Sequence, residues 1–204
     1  MKRMKPLISR LILLALAWLA LPAPAAGLPP SFAPEPPEPA AAALVEAYLN
    51  LLALGEYEQA LTLTDLRGMR HYLLERRLEE IRTRDPALTD ERLEALSAEI
   101  QVGDLHPVRL RQILLHILDE AAYKGMSWRI RGYAEAPGGI SGHVVSVVSR
   151  LADGTEKPVL LGLVRLGEQW KVAPAVIEQM MEQSPVVRLG RDTPPPPEVS
   201  DLMN

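Results

Sequence analysis

SWRIRGYAEAPGGISGHVVSVVSRLADGTEKPVLLGLVRLGEQWKV, residues 127–172, is the stretch that decides the fold. From Ser127 to Ala134 the side chains alternate, with Trp128 and Ile130 opposite Arg129 and Arg131, the period of a β-strand. Pro137-Gly138-Gly139 turns the chain. Ile140 to Leu151 reads as a second strand, Ala152-Asp153-Gly154-Thr155 as a hairpin turn, and Lys157 to Leu166 as the antiparallel return. Gly167-Glu168 turns once more into Gln169-Trp170-Lys171-Val172.

The two middle strands are apolar on both faces. Val145 and Val147 lie on one side and Val144 and Val148 on the other; Leu161 and Leu163 likewise oppose Leu160 and Val164. A sheet with one face in water alternates more cleanly than this, so something covers the second face. One candidate is a short helix opened by Pro174 and carrying Val176, Ile177, Met180 and Met181. The other is a second copy of the chain. A single short helix covers only part of a four-stranded sheet, which favours a homodimer through that face.

Upstream the period is helical. Leu44, Tyr48, Leu51 and Leu52 recur at helical spacing over 40–54, and Gly55 stops the run. A short helix follows over 56–64, with Tyr57, Ala60 and Leu61 on one side. Residues 70–84 form a helix of mixed charge broken at Asp85-Pro86, and 90–101 another that ends at Gly103. The clearest runs from Pro107 to Lys124, with proline suited to the first position and Gly125 to the cap. Its apolar stripe is Leu110, Leu114, Ile117, Leu118 and Ala121. Helices followed by an antiparallel meander give an α+β fold: N-terminal helices on a curved sheet of about four strands, with a short C-terminal helix.

The ends read differently. Lys2, Arg3, Lys5 and Arg10 precede an apolar run from Leu11 to Leu21, and Ala23 and Ala25 then give the small-x-small pattern of a cleavage site between Ala25 and Ala26. A membrane span needs about 20 apolar residues; this run is shorter, so residues 1–25 read as a cleavable signal peptide. The product is expected to be periplasmic or secreted, with no stable membrane anchor after cleavage. Residues 26–39 read as a proline-rich spacer contributing nothing to the core, 40–183 as the folded domain, and 184–204 as a proline-rich disordered tail.

The chain has no cysteine, which excludes disulfides, thiolate metal sites and a cysteine nucleophile. Loss of four basic residues with the signal leaves 18 basic against 26 acidic, so the net charge moves from −4 to −8. An acidic product does not neutralise phosphates, which argues against nucleic acid as a partner.

Leu44 to Ala60, with Gly55-Glu56-Tyr57-Glu58-Gln59-Ala60 at its end, resembles the opening of a bacterial envelope domain whose first helix closes in "G-D/E-Y-x-x-A". Gln169-Trp170-Lys171-Val172 is similar to that domain's closing "x-W-K-V/I" strand. In order and separation these resemble the nuclear transport factor two-like superfamily over about residues 42–173. The resemblance implies a cone in which a curved sheet wraps a long helix. The region from about 66 to 105 is longer and more helical than that pattern. A tetratricopeptide unit also fits 55–61, but a solenoid needs about three repeats and one is present.

Enzymes of this superfamily place an acid, a histidine or tyrosines inside the cone for proton transfer, chemistry that needs a carboxylate or imidazole in a dry pocket. His116 lies opposite the apolar stripe of its helix and reads as solvated. His143 shares strand parity with Val145 and Val147 and is a weak candidate base, set against an exposed strand-end histidine. Asp65 is a second weak candidate, set against a helix cap. No carboxylate pair, metal-ligand cluster or phosphate loop is legible, and no cofactor is expected. Tyr48, Leu52, Trp128, Val145, Val147, Leu161 and Leu163 are the expected pocket residues, with Tyr48 and Trp128 meeting inside. The function expected is a non-catalytic envelope binding domain for a small apolar ligand or a protein partner; the alternative is an isomerase- or cyclase-like enzyme using His143 or Asp65.

Overall fold

The computed structural model describes residues 32–121 and 123–183. The expected signal peptide, its Ala25/Ala26 cleavage site, the first part of the spacer and the tail from 184 lie outside the described residues. Among the described residues no helix is long and apolar enough to cross a membrane.

The fold is α+β. Five helices come first: α1 (Pro39–Leu54), α2 (Tyr57–Thr62), α3 (Leu66–Arg84), α4 (Asp90–Val102) and α5 (Pro107–Glu120). Strands β1 (Ser127–Glu135), β2 (His143–Arg150), β3 (Glu156–Leu166) and β4 (Gln169–Val172) form an antiparallel meander in sequence order, and α6 (Pro174–Gln183) closes it. Gly55 takes φ 78°, a left-handed conformation that suits glycine, and ends α1 by returning its N–H to Leu52.

The sheet has two apolar faces with different covers. The inner face carries Tyr133, Val145, Val147, Leu161, Leu163 and Val172, and packs on Val45, Tyr48, Leu49 and Leu52 of α1 with Leu110, Leu114 and Leu118 of α5. In β1 the register shifts between Ile130 and Gly132, leaving Arg131 without a partner, so Tyr133 continues the inward row begun by Trp128 and Ile130.

On the second face Val144 meets Ala173, Val176 and Met180 of the C-terminal segment, with Leu160, Val164, Ile140 and Phe32 around them. α6 is therefore a cover of this face. Gly162 makes the contact feasible, since a Cβ there would lie 2.3 Å from the Ala173 carbonyl oxygen and 2.8 Å from Val176 Cβ.

Two expectations change. α5 stops at Glu120 rather than Lys124; Gly125 takes φ 80° but serves the following turn, its N–H donating to Ala53 O at 2.7 Å. The end of the spacer is part of the fold. Ala33 exchanges both backbone hydrogen bonds with Tyr133, at 2.8 and 2.7 Å, and Glu38 accepts from the Trp170 indole N–H at 3.0 Å. The ladder can form because Gly132 lacks the Cβ that would stand 2.6 Å from Ala33 O. The helical stretch 66–105 is a pair, α3 and α4, tied to the loop before α5 by Arg70, whose Nε donates to Leu105 O at 2.8 Å and whose Nη2 donates to Gln101 O at 3.2 Å.

Candidate functional site

Periodicity puts one row of α1 and one row of the sheet face to face, and between them a cavity of about 100 Å³ is left unfilled. Tyr48, Leu49 and Leu52 of α1 form one wall, Leu114 and Leu118 of α5 another. The floor is Val147, Ser149, Val159, Leu161 and Val172, with Tyr123 and Met126 closing one side and Met69 of α3 the other.

Most of these side chains are fully buried. Exposure among the lining residues is confined to Leu160, Pro174, Ile177 and Glu178, so the mouth opens where the sheet meets α6. The register explains the opening. β4 pairs only with Leu163–Leu166, and the chain leaves the sheet at Ala173, whose N–H donates to Gly162 O at 2.7 Å. β3 before Gly162 therefore has β2 on one side and the mouth on the other.

The polar groups inside are mostly committed. Thr64 Oγ1 donates to Ala60 O at 3.2 Å and Ser149 Oγ donates to Lys157 O at 3.2 Å. Burial pushes the Tyr48 phenol up to about 12, with the side-chain hydrogen bond it shares with Thr64 opposing the shift. Burial also raises the Tyr123 phenol, helped by Tyr48 and Tyr57. Both tyrosines stay neutral at ordinary pH.

Among the described residues Glu178 is the one acid that lines the cavity. Desolvation pushes its carboxyl up to about 7; Arg76 opposes the shift and Glu182 adds to it. Arg76 Nη1 stands 3.7 Å from Glu178 and its Nε 3.3 Å from Glu182, so α3 and α6 meet through a shared guanidinium.

Four of the seven expected pocket residues line the cavity: Tyr48, Leu52, Val147 and Leu161. Val145 and Leu163 do not. Both are fully buried in solid packing nearer the β4 end of the sheet. Trp128 packs half-buried on the core edge and does not reach the lining, so Tyr48 and Trp128 do not meet there. The ring pair that does form is His143 against Trp170, edge to face at 5.4 Å.

Neither weak candidate for the base opens into the cavity. His143 sits half-buried at the start of β2, the far end from Ser149. Asp65 caps α3, accepting from Gly68 N–H at 2.8 Å. Among the described residues no group of three His, Asp or Glu side chains could hold a metal ion. Sequence reasoning passed over Met69, Tyr123, Met126 and Glu178. The spacing of Val176, Ile177 and Met180 marked the apolar side of α6, but nothing in one helix says that the adjoining Glu178 faces a cavity.

The chain matches no protein-family model and no curated protein. Among solved structures, one of a protein described as an NTF2-like transpeptidase from Campylobacter jejuni aligns over 65% of this chain and 95% of that chain. The two share 13% identity with a TM-score of 0.34.

Proposed function

We propose that this chain is an exported binding domain of the nuclear transport factor two-like kind, and that its cavity receives a small apolar group. The observation that carries the reading is the unfilled, partly enclosed space of about 100 Å³ walled by leucine, valine, methionine and tyrosine. Interiors pack to crystal-like density. A void bounded by this many large apolar side chains therefore forfeits dispersion contacts unless something fills it.

Size limits the occupant. An apolar cavity of about 150 Å³ holds benzene, so this one holds roughly four carbons of an aliphatic chain. A long acyl chain would lie largely outside.

The test is native mass spectrometry of the protein purified from a bacterial host, beside Leu161→Trp, which fills the space. A small molecule retained by the parent and lost by the variant supports the reading. Empty parent protein, together with lining-residue NMR signals that do not shift under xenon pressure, would refute it. Export is tested by sequencing the N-terminus of the product recovered outside the cytoplasm, which is expected to begin at Ala26.

A further inference from the structure

The mouth of the cavity is chemically lopsided. Its walls are apolar, yet Glu178 stands at the rim with its side chain only 14% exposed. A buried carboxylate is costly unless it is paired, and this one is paired poorly. Its cation, Arg76, is 3.7 Å away, beyond hydrogen-bond length. That guanidinium also serves Glu182 at 3.3 Å and Glu80 at 3.9 Å, while Glu80 has Arg77 at 3.2 Å.

A second observation points to the same place. Tyr72, one turn along α3 from the cavity-lining Met69, is 8% exposed. Its hydroxyl is buried beside Glu182, Arg76 and Glu178, with Glu182 as its hydrogen-bond acceptor and, among the described residues, no donor to its oxygen. Buried polar groups are normally satisfied, so a buried phenolic oxygen that accepts from no donor calls for an explanation. A cluster holding an under-paired carboxylate and a spare phenolic oxygen lacks a donor that carries positive charge. An anion would be repelled, and a neutral hydrocarbon would leave both groups as they are.

We propose that the cavity takes a small primary aliphatic amine, its hydrocarbon end among Leu52, Met69 and Leu161 and its ammonium against Glu178 at the mouth. This rests on the cavity being a binding site and names the chemistry of what binds. An ammonium brings three donors and one positive charge, enough for the Glu178 carboxylate and the Tyr72 oxygen together. The cavity volume fixes the tail at roughly four carbons. Binding also favours the ionised form of Glu178, so affinity is coupled to loss of its proton.

The experiment is calorimetry with three ligands that share one four-carbon isobutyl tail: isobutylamine, isobutyl alcohol and isovalerate, at pH 6 and pH 8. The amine is expected to bind about tenfold or more tighter than the alcohol. Its margin should widen at pH 8, where Glu178 is ionised; the charged and titratable groups around Glu178 are Arg76, Arg77, Glu80, Glu182 and Tyr72. Glu178→Gln should remove the margin of amine over alcohol. Equal binding of amine and alcohol, or preference for isovalerate, overturns the amine while leaving the cavity as an apolar site. Absence of binding by all three overturns both. If Glu178→Gln fails to fold, the pH dependence of the parent decides: a margin that does not widen from pH 6 to pH 8 overturns the proposal.

Discussion

Gly162→Ala is expected to detach α6 from the sheet. The new Cβ would stand 2.3 Å from Ala173 O and 2.8 Å from Val176 Cβ. The first of these is a backbone atom already bound into the β4–α6 junction, so no rotamer change relieves it. The contacts at risk are Val176 at 5% and Met180 at 8% exposure, with the Ala173–Gly162 hydrogen bond. Full exposure of two such side chains costs about 3–6 kcal/mol, and the hydrogen bond about 1 kcal/mol. Replacing glycine restrains the unfolded chain and returns about 0.5–1 kcal/mol. With part of the helix contact kept by a tilt of α6, the net loss is about 3 kcal/mol. Urea unfolding followed by tryptophan fluorescence measures it, and hydrogen exchange over 174–183 shows whether the loss is local. Adding Val176→Ala should give no rescue, because the carbonyl clash remains. A loss below about 1 kcal/mol with α6 amides as protected as in the parent would show that the close approach of Gly162 to Ala173 is not what seats the helix.

Three further outcomes can be checked. Leu161→Ala removes a wall of the cavity and is expected to destabilise by about 2–5 kcal/mol in urea, while admitting larger probes such as benzene. Glu178 has a folded-state pKa of about 7, above its ordinary carboxyl value. Its contribution to stability is thus full below the ordinary value and is lost as pH rises towards 7, by no more than about 3 kcal/mol; denaturation curves against pH should show this slope, flattened in Glu178→Gln. Glu38→Ala leaves the buried Trp170 indole N–H without its acceptor and Arg165 without its carboxylate partner. A loss of about 1–3 kcal/mol is expected, with a shift in tryptophan emission.

Much of the fold was legible because its signals are local. The change from helical to alternating spacing at Ser127 placed the sheet, and Gly154 and Gly167 placed its turns, both at positive φ. The double-sided apolar strands correctly demanded a second cover, and α6 lies there. The bulge at Arg131 was hidden because one extra residue reverses facing without altering composition. The site was half legible. Strand parity found Val147 and Leu161, but parity says which face a residue occupies and not where along that face packing is loose. Val145 and Val147 share a face, and Val147 alone of the pair borders the cavity. Glu178 and Tyr72 were illegible because their environment is made by the crossing of α3 and α6, which neither helix encodes alone.

The Ala33–Tyr133 bridge has a consequence for how the protein behaves in a crowd. It occupies the outer edge of β1 for a single rung, and the next residue, Pro34, has no N–H with which to continue the ladder. At the other end, Thr64 lies against Val172 and covers β4. The stretch of β3 left open at the mouth contains Pro158, which has the same parity as Gly162 and so turns its missing N–H towards the open side. Each border of the sheet is thus a poor template for a foreign strand. A protein rich in valine and leucine strands is thereby protected from the edge-to-edge recruitment that seeds aggregation.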